Sequence, residues 1–524
     1  MFVGLLLPAG AAGSLSIAVV GNRLVNGSGN TVRLLGVNRP SPEYACFYGY
    51  AYADGPGNTP NPLNNADAAA IAAWHATAVR IPLNEDCWLG LNGYPPATVD
   101  GRPSGLTAAG YRQAIVNYVT ALHAHGLYAI LDLHWTGPGA TPADGQRSLP
   151  DDHSAAFWTS VADTFRSDPG VVFDVFNEPF GSGAFPVSWG CWRNGGCQVP
   201  TANDQTDPAP GSPTYTAVGI QAMVDAIRAT GATQPIMLGG LSYANDLRGW
   251  RAHEPSDPLD QLIASFHNYT GQTCDTQSCW DATIAPVAAQ APVVTGEFDE
   301  DDCPAPAGGS PGENPANFDN RYMAWADAHG VSYTAWGWFV LDSTTCSSLA
   351  LISDYAGTPL DPNGVALKQH LTALANTAAS APAPPSVSVA PVVSGVSQSH
   401  LVWREGNRLA TIARQHGIPV GTTFSFRLNQ PATVRFAFRR VRSRRSGRRR
   451  VAHVRRSRHR YTRNVTKGTL RLHGHAGTNR VKFQGRVSRR GRLRPGRYTV
   501  VITAINAAKQ HSAPVSLSFK IASG

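Results

Sequence analysis

Two glutamates, Glu178 and Glu297, close two apolar runs, VVFDVFNEPF (171–180) and PVVTGEF (292–298). A carboxyl pair of this kind can cut a glycosidic bond. One member protonates the leaving oxygen and later activates water, and the other attacks the anomeric carbon. At about 5 Å apart the two define hydrolysis with retention. The acid must keep its proton near neutral pH, whereas the attacking carboxylate must stay ionised and wants cationic or donor neighbours. Arg80 (AVRIPL) and Tyr269 (FHNY) supply such groups for Glu297. Other polar and aromatic residues end apolar runs in the same way: His134 and Trp135 (LDLHW), Asn177, His267, and Trp336 with Trp338 (AWGWF). A lone strand-end His or Trp is ordinarily structural. A succession of them along one chain points to a site.

The elements that must position these groups are legible as a series. Short apolar runs occupy 32–38, 78–83, 128–134, 171–179, 235–240, 262–269, 292–298 and 333–339. Amphipathic stretches separate most of them. In 106–126, Tyr111, Ile115, Tyr118, Val119 and Leu122 recur at helical spacing and Gly126 follows as a stop. Eight buried strands alternating with helices predict a (β/α)8 (TIM) barrel over 14–375. Active sites of such barrels lie at the carboxyl ends of the strands. Strands four and seven, which carry the two glutamates, face each other across the mouth.

At this point the chain resembles glycoside hydrolase family 5, the cellulase family of secreted TIM-barrel enzymes. The marks are an Arg after the second strand (Arg80), a His after the third (His134) and Asn177-Glu178-Pro179 after the fourth. They continue with His267-Asn268-Tyr269 after the sixth, Glu297 after the seventh and Trp336 after the eighth. The resemblance implies Glu178 as acid/base and Glu297 as nucleophile. It implies that Asn177 binds the sugar 2-OH, that His134 and His267 hold hydroxyls and the acid/base, and that Arg80 and Tyr269 orient the nucleophile. Trp336 would give the sugar an apolar face.

The expected activity is internal cleavage of β-1,4-glucan, with no metal ligands and no cofactor. A β-mannanase and an exo-acting β-glycosidase are alternatives within the family. A carbohydrate-binding protein on an inactive barrel is the alternative from another class. Two long segments should shape the cleft: the aromatic stretch 38–56, and the excursion 181–213, which contains Trp189 and Trp192. Trp135 and Trp338 are further candidates for sugar contact. The acidic cluster FDEDDC (298–303) matches no calcium-loop spacing and reads as a solvated loop.

The remaining composition divides the chain. Its net charge of +9 hides two opposite halves. From Gly395 onward there are 30 Lys and Arg and one acid, Glu405, while residues 1–394 hold the other 14 basic and 34 acidic residues. Residues 376–397, rich in Ala, Pro, Ser and Val, read as a linker. Residues 398–524 show period-two runs at 423–428, 433–438, 469–474, 479–485, 497–506 and 515–522, which predict a small antiparallel β-sandwich of immunoglobulin-like type. Twelve Arg fall between Arg439 and Arg460. With little aromatic interleaving this run does not suggest nucleic acid. It reads either as a solvated hairpin or as attachment to anionic cell-wall polymers.

All eight Cys lie between Cys46 and Cys346, without metal-site spacing. They suggest the disulfides 191–197, 274–279, 303–346 and 46–87, and hence an exported, cell-wall-associated or free extracellular protein. The apolar start 1–13 reads as the remnant of a signal peptide. A monomer without a membrane span is expected.

Overall fold

The computed structural model describes residues 15–53, 63–300, 317–340, 349–380, 391–404, 420–443, 462–475, 477–488, 491–506 and 509–523. The leader 1–13, the Cys303–Cys346 pair, the end of the acidic cluster and most of the Arg run lie outside them. The chain divides into two compact units, Met1–Ala381 and Pro382–Gly524.

The first unit is a closed barrel of eight parallel strands in sequence order. The strands are β1 (Leu35–Asn38), β2 (Ala78–Asn84), β3 (Tyr128–Trp135), β4 (Val171–Asp174), β5 (Ile236–Gly239), β6 (Leu262–Tyr269), β7 (Val293–Asp299) and β8 (Ser332–Ala335). β8 pairs with β1 through Tyr333 and Leu35, which closes the ring. Each strand is one of the eight apolar runs. Strands covered on both faces read as near-continuous hydrophobic stretches, and so they stand out in a sequence. At Gly36 a Cβ would lie 1.9 Å from the carbonyl oxygen of Ala78, so only glycine allows β1 and β2 their approach.

The helix Ala108–Ala124 follows the predicted pattern. The Thr107 hydroxyl caps it by accepting from the amide of Gly110 (3.0 Å). Tyr111, Ile115, Tyr118, Val119 and Leu122 are all buried, and Gly126 ends it at φ +80°. At the amino ends of the strands a hairpin, Ile17–Val20 with Arg23–Asn26, forms a floor. Its amide at Ile17 donates to the Pro169 carbonyl (2.9 Å), and Val19 exchanges hydrogen bonds with the Gln261 side chain. Ile17 and Leu24 pack with Leu34, Ile130, Val172, Met237, Ile263 and Val294 in one apolar layer.

Three boundaries differ from the sequence reading. The run 32–38 is barrel strand only from Leu35, because Thr31–Val32 pairs with the floor hairpin. The run 171–179 is not strand throughout: β4 stops at Asp174, so Asn177, Glu178 and Pro179 lie beyond it. Likewise β8 stops at Ala335, before Trp336 and Trp338. Three disulfides are formed among the described residues: Cys46–Cys87, Cys191–Cys197 and Cys274–Cys279.

The second unit is a two-layer β-sandwich. A sheet of three strands (Val393–Gln398, Thr422–Leu428, Gly477–Phe483) packs on one of five. Phe424 and Phe426 of the first layer meet Phe436, Phe438 and Phe519 of the second in a common core. The sheets are not wholly antiparallel, because Val402–Arg404 pairs parallel to Val515–Ala522. Both ends of the segment read as a linker belong to regular elements: a helix runs to Ser380 and a strand begins at Val393.

Candidate active site

The carboxyl ends of the barrel strands converge on Arg80. This side chain of β2 is fully buried. Its guanidinium donates to Glu297 Oε1 (2.6 Å), Asp174 Oδ2 (2.9 Å), Asn177 Oδ1 (2.8 Å) and Asn38 Oδ1 (3.1 Å), and it lies 3.1 Å from Asp132 Oδ1. Five groups from four strands and one loop are thus fixed by one planar fork, a geometry that Lys would not reproduce. Burial works against the charge on Arg80, but the surrounding carboxylates outweigh it and hold the guanidinium firmly protonated. One cation cannot neutralise three carboxylates in a water-poor site, so burial pushes Asp132 and Asp174 up, to about 7.

Glu297 comes from β7, at a bulge. Phe266 and His267 of β6 pair with Thr295 and Glu297, so Gly296 is the extra residue between them. The bulge turns Glu297 into the mouth. A Cβ on Gly296 would lie 2.7 Å from His267 Nε2, so the bulge tolerates no side chain there. The second Glu297 oxygen accepts from the Tyr269 hydroxyl (2.8 Å). Burial, then the charge of Glu297, holds that hydroxyl well above its ordinary range, which keeps it a donor.

Glu178 sits in a different environment. It lies past the end of β4, in a segment tied to its neighbours by backbone hydrogen bonds. Asn177 N–H donates to Leu133 O (3.0 Å), Phe180 N–H to Ser148 O (3.1 Å) and Tyr243 N–H to Pro179 O (3.1 Å). Its carboxyl meets His267 Nδ1 at 2.8 Å and Gln146 Nε2 at 3.3 Å, with no Lys or Arg in ion-pair contact among the described residues. Burial pushes Glu178 up to about 7. One oxygen of Glu178, one of Glu297 and a nitrogen of His267 lie within 4.8 Å of one another.

The two histidines are neutral. Burial pulls His134 down to about 4 and His267 to about 3. His134 Nδ1 donates to Asp132 (2.7 Å), which leaves Nε2 as an acceptor near the Asn177 amide. The orientation of Asn177 is set on both sides: its oxygen faces Arg80, and its nitrogen donates to the Gln146 side chain.

The aromatic residues divide. Trp336 is half-buried beside His134, with near-parallel rings 5.6 Å apart. Trp135 is half-buried and meets Tyr44, Phe47 and Tyr48 from the stretch after β1, where Tyr48 and Tyr50 are exposed. Trp338 does not belong with them. It is fully buried, its indole N–H donates to Asp67 (3.0 Å), and Trp74 packs against its edge, so no face is left for a sugar. Trp192 is likewise buried, bonded to Gly239 O (2.9 Å), with Trp189 half-buried against it.

Sequence reasoning missed Asp132, Asp174, Gln146 and Tyr243. The first two carried a signal, each being an Asp inside an otherwise apolar barrel strand. Tyr243 lies in a run of three left-handed residues, Ser242, Tyr243 and Ala244 (φ 57°, 59° and 54°), and stacks on Phe180 at 4.5 Å. Such backbone is strained for residues with a Cβ, and nothing local in the sequence announces it.

The model of the cellulase family, glycosyl hydrolase family 5, matches residues 37–340, more than half of the chain. The chain belongs to that family. Relatives of this family 5 chain include endoglucanase 1 of Robillarda sp., 27% identical over 195 residues, covering 33% of this chain and 43% of the relative. Another is endo-β-1,4-glucanase A of Emericella nidulans, 30% identical over 172 residues, covering 32% of this chain and 42% of the relative. The match thus spans less than half of each relative's length. Among solved structures, a β-glucanase of Saccharophagus degradans aligns with a TM-score of 0.49 and 19% identity, over 69% of this chain and 94% of that one. Among the described residues, no helix of this family 5 hydrolase is long and apolar enough to cross a membrane.

Proposed function

We propose that the chain is a secreted endo-β-1,4-glucanase working by double displacement, with Glu178 as acid/base and Glu297 as nucleophile. One observation carries this reading, the asymmetry of two adjacent carboxyls. Glu178 is desolvated, lacks a cationic partner and sits near pKa 7, which suits a group that gives a proton and takes one back. Glu297 is held by Arg80 on one oxygen and Tyr269 on the other, which suits a group that must attack as a carboxylate. A separation within 4.8 Å is close to the roughly 5 Å of retaining pairs and well short of the roughly 6.5 Å or more that inverting pairs need for an attacking water.

In the first step, Glu297 attacks the anomeric carbon while Glu178 protonates the departing oxygen. In the second, Glu178 takes a proton from water, which displaces Glu297. Asn177 is held in place for the sugar 2-OH, and His134 Nε2 is free to accept from a hydroxyl. Trp336 and Trp135 offer the apolar faces. The basic second unit is read as an attachment module for anionic polymers, on charge alone.

The test is reducing-sugar release with product sizing on carboxymethylcellulose, barley β-glucan, glucomannan, galactomannan and xylan, beside Glu297→Ala. Mixed oligosaccharides from the glucans, absent in the variant, are expected. Release from mannans only would replace the substrate, monosaccharide alone would make the enzyme exo-acting, and turnover unchanged in Glu297→Ala would remove the mechanism.

A further inference from the structure

Behind the Gln146 side of the mouth lies a second acidic cluster. Glu85, the first residue of the helix Glu85–Leu89, is fully buried. Neither of its carboxyl oxygens receives a well-aligned N–H or O–H, and the Asp151 carboxyl and the Ser154 hydroxyl lie beside it. Asp151, also fully buried, accepts on Oδ1 from the His153 amide (2.9 Å) and the Ser154 hydroxyl (3.2 Å); no N–H or O–H donor reaches its Oδ2, and the Glu85 carboxyl lies beside it. The half-buried His153 turns Nδ1 toward Glu85 Oε1 at 3.9 Å, with the Gly137 carbonyl 3.2 Å away. One donor atom from each of Glu85, Asp151 and His153 lies within 4.8 Å of the others. No Lys or Arg among the described residues pairs with Glu85, Asp86 or Asp151. Two buried carboxyls without a cation are costly unless something positive joins them.

We propose that Glu85, Asp151 and His153 bind one divalent cation of the zinc or manganese type, and that this ion fastens the loop after β3 to the helix after β2. Two carboxylates and an imidazole form a mixed oxygen and nitrogen donor set, which suits such ions better than calcium. Donor atoms around a tetrahedral zinc lie about 3.4 Å apart, so small side-chain rotations would complete the set. His153 Nδ1 would give up its hydrogen bond to the Gly137 carbonyl (3.2 Å), and the ring would take the other tautomer, to face the ion. Burial drives Glu85 and Asp151 upward in the metal-free state, so ion binding would release protons. The fastened loop carries Gln146, which contacts both Glu178 and Asn177. Metal binding and its effect on stability can be measured whether or not the glucanase assignment holds.

The experiment uses the full chain, stripped with EDTA and dialysed, titrated with Zn2+, Mn2+ or Ca2+ by calorimetry and followed by thermal unfolding. One equivalent of Zn2+ or Mn2+ should bind and raise Tm. Glu85→Gln and His153→Ala should each weaken binding at least tenfold, and Asp163→Asn, on the exposed surface, should leave it unchanged. His153 is partly exposed, so its variant keeps the test valid if Glu85→Gln fails to fold. No stoichiometric uptake would overturn the proposal and leave Glu85 and Asp151 sharing a proton. Uptake surviving both substitutions, or uptake of Ca2+ alone that ignores His153→Ala, would overturn the ligand set.

Discussion

The charge state of Glu178 makes two predictions with definite signs. If it is the proposed acid, its proton serves departure of the leaving group, and kcat/KM on an unactivated glucan should fall as pH rises through about 7. Glu178→Gln should abolish most turnover and, with it, this basic limb. The same group links to stability. Unfolded, Glu178 ionises near 4.5; folded, it keeps its proton up to about 7. The folded state therefore binds more protons between these values, and stability declines as pH rises across that window and is flat above it. Urea unfolding from pH 4.5 to 8 should show Glu178→Gln gaining on wild type toward the upper end. Tyr269→Phe removes a donor to the Glu297 carboxylate. Hydrogen bonds to charged groups contribute about 1.5–3 kcal/mol, so kcat should drop about ten- to a hundredfold with circular dichroism unchanged. An unaltered kcat would show that Arg80 alone orients Glu297. At this scale the sequence displayed the groups that end strands better than the groups that hold them: Asp132 and Asp174 show only as an Asp inside an apolar run, and Gln146 arrives from a loop.

Among the elements, the bulge at Gly296 is the most demanding. Adding a methyl would push into the ring nitrogen of His267, which is itself fully buried. Overpacking of this sort costs about 1–3 kcal/mol. Gly296→Ala should lower the urea midpoint and reduce activity more than the stability loss explains, since His267 touches Glu178; a silent substitution would mean that β6 and β7 can slide apart. The strands themselves were legible because burial on both faces demands continuous apolar sequence. Their ends were not. Trp336 and Trp338, two residues apart, share a face only on a pleated strand. β8 stops at Ala335, so the two indoles diverge, one to the mouth and the other into the core beside Trp74. Glu178 lies beyond its strand for the same reason, and backbone hydrogen bonds to the neighbouring segments take over the positioning.

The whole molecule joins an acidic unit to a basic one, each with its own core. A chain ending at Ala381 keeps 14 basic and 34 acidic residues, so its charge reverses from that of the full protein. It should remain folded, move from a cation to an anion exchanger, and keep kcat/KM on soluble glucans within about twofold. Affinity of the full chain for a polyanion should fall steeply with salt, because exposed charges are screened beyond about 10 Å at 0.1 M; loss of folding or of soluble-substrate turnover on truncation would show that the units depend on each other. This division was visible in composition, whereas the parallel strand of the sandwich, Val402–Arg404, was too short to show a period.

The hairpin beneath the barrel has a practical corollary. Its exposed tip, Gly21 to Arg23, belongs to the amino end of the barrel, opposite the mouth, so a tether coupled there would leave the candidate catalytic side open to an insoluble fibre.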